Sequence, residues 1–226
     1  MSGASELVRP WRGKSPEQRV AERRAQLLDA GLEVFTAKGF HAARVRDVCR
    51  QAGLTERYFY ESFAGKEALL AALAEQIVGD LLEAAAPGIA LVEEDLDGAL
   101  DMASRAVVAS LTDDPRRARI LFVEVVGVSR EIEDRRRAII GGLAQVVRDA
   151  AARAFGPWVT ASAETELISR AAIGAVQELL VAYVRGELPL DQEALIVNFG
   201  RVFRQAEPIL GAMAGQQDIE RAGSTT

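Results

Sequence analysis

Residues 23–73 read RRAQLLDAGLEVFTAKGFHAARVRDVCRQAGLTERYFYESFAGKEALLAAL, and the centre of this stretch is its most informative part. Val45, Val48, Cys49 and Ala52 recur at helical spacing and give a short segment, Arg44 to Ala52, one apolar face. Gly53-Leu54 makes a tight turn, and Thr55 can cap a second short helix that reaches Ser62. Two such helices crossing at a large angle form a helix-turn-helix, whose second helix can enter a major groove ~12 Å wide. That helix has to be amphipathic. Leu54, Phe59 and Phe63 would anchor it, leaving Thr55, Glu56, Arg57, Tyr58 and Glu61 outward.

Upstream, Ser15 as N-cap, Pro16 at the first helical position and Gln18 three residues on make a capping box. They open a helix to Lys38 whose face carries Leu28, Leu32 and Phe35 with Ala25 and Gly31, and Gly39 stops it. Downstream, a fourth helix starts at Lys66 and is expected to reach Ala86, where Pro87-Gly88 should end it. A fifth spans Leu96 to Leu111. A sixth opens at Asp114-Pro115 and runs to Val126. A seventh follows Ser129, has acids in its first turn and ends at Phe155. An eighth spans Ala163 to Arg185, and a ninth starts at Asp191 and is bent or broken at Pro208. No segment sustains period-two alternation, so the expected fold is all-α, with about nine helices. The boundaries expected are a flexible basic arm over 1–15, a DNA-binding domain over 16–65, a ligand-binding and dimerisation domain over 66–215, and a flexible tail over 216–226.

The 226 residues are enough for a sizeable core, and 49% apolar with 27% charged residues is ordinary for a globular chain. The net charge of −6 sits poorly with nucleic-acid binding until it is divided. Residues 1–70 hold 12 basic and 9 acidic residues, a net of +3, and the remainder holds 15 and 24, a net of −9. A basic head on an acidic body attracts phosphate locally. No membrane span or signal peptide is expected. The single cysteine, Cys49, excludes an internal disulfide, so the expected location is the cytoplasm. It is expected to be an inert core thiol. With one histidine, His41, and no clustered metal ligands, neither an enzyme nor a cofactor or metal site is expected.

The central stretch resembles the tetracycline-repressor (TetR) family of bacterial transcription regulators. The resemblance rests on Gly39-Phe40, Ala42, Val45, Asp47-Val48, Ala52-Gly53-Leu54-Thr55, Phe59-Tyr60, Phe63, Lys66-Glu67 and Leu69, about 50 residues with almost no gap. It implies that Tyr60 bonds a DNA phosphate, that Lys66 binds another, that Thr55 caps the recognition helix and can touch phosphate, and that Arg57 and Tyr58 contact bases. Glu56 and Arg46 belong to the same candidate surface. Two departures stand out. Ala43 and Arg44 replace the family's hydroxyl residues, so Arg44 is expected to reach DNA directly, and Arg57-Tyr58 enlarges a surface that is usually small. Plainer readings stand beside these: Tyr60 as a core aromatic, Glu56 and Glu61 as solvated acids, and His41 as a surface residue or a phosphate neighbour. Arg9, Trp11, Arg12 and Lys14 could follow the minor groove.

For the body, the resemblance implies a homodimer through the eighth and ninth helices. The candidates are Leu167, Ile168, Ala171, Ala172, Ala175, Leu179, Leu195, Phe199, Val202 and Phe203. It also implies a pocket for a small apolar or aromatic ligand, with Ile77, Leu81, Met102, Val107, Leu121, Phe122, Val125, Leu143, Trp158, Leu180 and Tyr183 as candidate lining residues. The expected function is a ligand-relieved repressor that binds a palindromic double-stranded DNA operator. The alternatives are an activator of the same fold, an all-helical enzyme, or a protein-interaction scaffold.

Overall fold

The computed structural model describes residues 15–210. Among the described residues there are nine α-helices and no strand. α1 is Pro16–Lys38, α2 Val45–Ala52, α3 Glu56–Ser62, α4 Lys66–Ala90, α5 Leu96–Thr112, α6 Pro115–Arg119, α7 Arg130–Phe155, α8 Ala163–Val184 and α9 Gln192–Arg204. The basic arm up to Lys14 and the tail after Leu210 lie outside the described residues.

The local chemistry explains the helix ends. The Ser15 hydroxyl accepts from the Gln18 amide at 3.2 Å, and the Gln18 side chain accepts from the Ser15 amide at 2.8 Å. Together they satisfy two donors that a helix start would otherwise leave open. At α7, α8 and α9 the side chains of Ser129, Ser162 and Asp191 accept the amides of Ile132, Thr165 and Ala194, the first half of that arrangement. α1 packs through Leu27, Leu28, Ala30, Gly31, Val34 and Phe35, whereas Ala25 is exposed. The packed stripe therefore begins a turn later than expected.

Three boundaries differ from the sequence reading. α4 runs through Pro87 to Ala90. The reason is tertiary: Gly88 is buried against α5, where a Cβ atom would meet the Ala103 amide nitrogen at 2.7 Å and the Ala99 carbonyl at 2.8 Å. The glycine thus allows close backbone approach and is not a stop. The sixth helix does not reach Val126. α6 ends at Arg119, and a π-helical turn covers Ile120–Glu124. α9 stops at Arg204, ahead of Pro208, and helix resumes over 207–210, so Pro208 lies in a first turn, where its missing N–H costs nothing.

One continuous core joins α1, α2, α3 and the start of α4 to the body helices α4–α9. Phe35, Phe59, Leu69 and Leu70 are its sealed centre on the head side, and Leu111, Ile120 and Leu195 on the body side. By length and composition alone α8 is apolar enough to cross a membrane, with a mean hydropathy of 1.5 over its most apolar window, a test that a core helix also passes. Only a third of that apolar window is buried within the chain. Ala172, Ile173, Val176 and Leu180 face inward, while Leu167, 69% exposed, Ala171 and Ala175 face out. Of the candidate interface residues, Ala172, Leu195 and Phe199 are buried in the chain's own core, and Ile168 and Phe203 line its cavity. Leu179 and Val202 are half-buried.

Candidate nucleic-acid interface and ligand cavity

The turn between α2 and α3 is set by Gly53, whose φ of 66° lies in the left-handed region. Its amide and that of Leu54 bond back to the carbonyls of Arg50 and Cys49, at 3.3 and 2.9 Å. This closes α2 as a glycine-terminated helix does. At the other end of α2 no hydroxyl is present to cap it. Asp47 serves instead: its carboxylate, 11% exposed, accepts from the Arg44 amide at 3.1 Å and pairs with Lys38 at 3.0 Å and Arg50 at 2.9 Å. Lys38 first, and the Arg44 amide next, hold the Asp47 pKa below its ordinary value.

The sign of that shift fixes a pH dependence. A lowered folded pKa stabilises the head fully above the unfolded value of about 3.9, and the contribution is lost as pH falls through the folded value. Acid melting followed by circular dichroism should therefore steepen below about pH 4. Asp47→Asn should flatten that part of the curve, and identical acid profiles for the two proteins would contradict the role.

α3 is held by Phe59, fully buried, and Phe63, with ring centroids 5.9 Å apart. Thr55 occupies the N-cap position but its hydroxyl accepts no cap bond, which corrects the expected capping role and leaves it on the surface. Tyr60 is 57% exposed, its ring edge-on to Phe59, so it is not a core aromatic. Tyr58 is only half-exposed because the Arg23 guanidinium of α1 lies 4.5 Å over its ring. Arg57 is 85% exposed along its side chain and bonds Glu61 at 3.0 Å, one turn along the same face. Glu61 also faces Arg23 at 3.9 Å, so it ties α1 to α3 and is not simply a solvated acid. Glu56, Arg44, Arg46 and His41 are exposed. Burial, and then the Glu56 charge, push the Cys49 thiol pKa up, which keeps it protonated.

Lys66 departs from the expected phosphate role. Its Nζ donates to the carbonyls of Phe40, Ala43 and His41 at 2.9, 3.1 and 3.3 Å, and sits 4.3 Å from the centre of the Phe40 ring. An ammonium has three donors, and all three are engaged with the loop between α1 and α2.

In the body, α4, α5, the π turn, α7, α8 and α9 enclose a cavity of about 300 Å³. Leu81, Val107, Leu121, Phe122, Val125, Leu143 and Leu180 line it. Four candidates do not. Ile77 is buried in the core, and Tyr183 is packed against it. Trp158 lies in the 3₁₀ turn Pro157–Ala161, its indole N–H bound to the Phe155 carbonyl at 2.8 Å. Met102 is 46% exposed, being about 200° around α5 from both Leu100 and Ser104, which face the cavity. The wall also contains polar groups that the sequence reading missed: Ser104, Thr165, Ser169, Gln177, Arg135, Arg136 and Glu207. Their signal was position, since Ser104 keeps phase with Leu100, Val107 and Leu111. Thr165 and Ser169 turn their hydroxyls to backbone carbonyls, and Arg135 and Arg136 pair with Glu75, Glu131 and Glu133. Ser104, 2% exposed, and Gln177 have no hydrogen-bond partner among the described residues.

Residues 27–73 match the model of bacterial regulatory proteins of the tetR family. The HTH-type transcriptional regulator UidR of Escherichia coli (strain K12) is 27% identical over 136 residues, covering 56% of this chain. The chain spans 65% of that relative's length, just under two thirds. Among solved structures, the fatty acid degradation regulator FadR from Bacillus halodurans superimposes with a TM-score of 0.70 at 18% identity, over 85% of this chain and 96% of its own. The transcriptional regulator FadR from Bacillus subtilis, in complex with stearoyl-CoA, gives a TM-score of 0.67 at 20% identity, over 79% and 96%. At these identities the structural likeness is one of fold.

Proposed function

We propose, from the tetR-family match over residues 27–73, that this chain is a regulator of that family: a sequence-specific, DNA-binding repressor of transcription, acting in the cytoplasm and released by a small apolar ligand. The observation that carries the reading is the outward face of α3. Arg57 and Tyr60 project from a helix whose other side is locked into the head by Phe59 and Phe63, with Arg44 and Arg46 beside it. Arg57 is the reader of bases, because a guanidinium can bond guanine O6 and N7 together. Tyr60, Thr55, Arg44, Arg46 and the open amides at the start of α4 supply phosphate contacts. Glu56 and the half-covered Tyr58 flank the reader.

One short helix reads too few bases for tight binding, so a two-fold dimer presenting two half-sites about 34–36 Å apart completes the device. The outward apolar face of α8, with Leu167, Ala171 and Ala175, and exposed Val197 on α9 are its proposed interface. The cavity wall is almost wholly apolar, and its α4 side runs from Ala71 to Ile89, roughly 27 Å of helix. That length and polarity fit an elongated acyl chain, the kind of group present in the stearoyl-CoA complex of Bacillus subtilis FadR. Ser104 and Gln177 can bond one polar group of such a ligand.

The test is selection of duplexes from a random pool, followed by titration at several salt concentrations. An enriched palindrome whose affinity falls steeply with salt is expected. Arg57→Ala should cost about 1–3 kcal/mol on that palindrome and relax its preference at one position per half-site, with little change on random DNA. Equal losses on both kinds of DNA would remove Arg57 as a reader. A monomer indifferent to every duplex at low salt would remove the proposal.

A further inference from the structure

Glu124 is the buried carboxylate that joins head to body. It is 8% exposed, and both of its oxygens are engaged. One accepts the Phe40 amide at 2.7 Å, a bond across 84 residues of sequence, and the other accepts Arg119 Nε at 2.9 Å. Phe40 lies in the loop whose carbonyls hold Lys66, and the same loop leads through buried Ala43 into the N-cap of α2. The Phe40 amide thus sits where α1, α2 and the start of α4 are set relative to one another. Glu124 closes the π turn, and the same five residues place Leu121 and Phe122 in the cavity wall, with Val125 next along. A π turn holds one residue more than an α turn, and relaxing it to α-helix rotates the side chains beyond it by about 100°.

We propose that Glu124 is the positioning residue through which occupation of the cavity reaches the DNA-binding head: a ligand pressing on Leu121 and Phe122 re-registers the π turn, and Glu124 releases the Phe40 amide. This rests on the reading of the cavity as the ligand site. With that bond broken, the loop leading into α2 is no longer tied to the π turn of the body, Lys66 alone anchors it, and operator affinity falls. Removing the carboxylate therefore reproduces the liganded state without a ligand.

The experiment measures operator affinity of the full chain with and without stearoyl-CoA, together with hydrogen exchange at the Phe40 amide. In the wild type, stearoyl-CoA should weaken operator binding by about tenfold or more and speed exchange at Phe40. Glu124→Ala should bind operator as weakly as the liganded wild type and respond to stearoyl-CoA less than about twofold, while still binding it. Glu124→Gln, whose amide oxygen can still accept from Phe40, should restore most of the response. A ligand-free arm uses Phe122→Trp, which enlarges the side chain in the cavity. It should lower operator affinity in the wild-type background and add nothing in Glu124→Ala. If stearoyl-CoA fails to bind at all, the ligand reading fails, and the Phe122→Trp cycle alone decides the role of Glu124. Independent, multiplying effects of the two substitutions overturn the proposal, as does a full ligand response in Glu124→Ala. If Glu124→Ala does not fold, loss of the response in Glu124→Gln overturns it.

Discussion

Replacing Lys66 by Met should leave a chain that binds no duplex tightly and whose head unfolds first. The ammonium holds the carbonyls of Phe40 and Ala43 at 2.9 and 3.1 Å and that of His41 at 3.3 Å. Methionine keeps the stem and its packing, so the loss is that of the charge and its donors. Hydrogen bonds to a charged group contribute about 1.5–3 kcal/mol each. Lys66 is partly exposed and one bond is long, which brings the expected total down to about 2–4 kcal/mol. The loop positions Arg44 and the start of α2, so affinity for every sequence should fall together. Urea unfolding separates this account from a direct phosphate contact. A lysine that touched only phosphate would leave stability unchanged and lower the salt slope by about one. A stability loss of the stated size, with random and selected duplexes equally weakened, is the result expected here.

Gly88→Val should be the most damaging single change far from the head. A Cβ atom there would lie 2.7 Å from the Ala103 amide nitrogen and 2.8 Å from the Ala99 carbonyl, both backbone atoms of α5 that cannot rotate away. α4 and α5 would have to separate. Overpacking costs about 1–3 kcal/mol, and occasionally more, and backbone neighbours with a β-branched side chain place this site at the upper end. For a chain of this size, 3 kcal/mol corresponds to a fall in Tm of roughly 6–12 °C. Gly53, by contrast, has no atom within 4 Å of a Cβ position, so substitution there strains the backbone and not the packing. A Gly88→Val protein that melts with the wild type would show that the two helices are not packed as described. Ile89 and Val92, next to this contact, line the cavity, so apolar ligand binding should weaken as well.

The two substitutions report on different parts of one continuous core. Lys66 acts where α4 leaves the head and Gly88 where it meets α5, and Glu124 lies on the other route between head and body. Arg117 and Asp80, paired at 2.9 Å, tie α6 to α4 within the body.

The all-helical class, the start and end of α1 at Ser15-Pro16 and Gly39, the turn at Gly53 and the inward positions of Phe59 and Phe63 were all legible in the linear chain. Each follows from an interaction within a few residues: a cap, a left-handed glycine, or a period of 3.6. The rest depended on contacts between distant segments. Pro87-Gly88 reads locally as a stop, yet the helix continues because α5 needs Gly88 as a contact. Lys66 reads as a free cation until three carbonyls 23 to 26 residues away occupy it. Met102 and Ser104 sit two residues apart on one helix, and which of them faces the cavity depended on where α4 and α9 lie. The π turn, with Glu124 bound to Phe40 across 84 residues, leaves no local signature, because its partners meet only when the chain is folded.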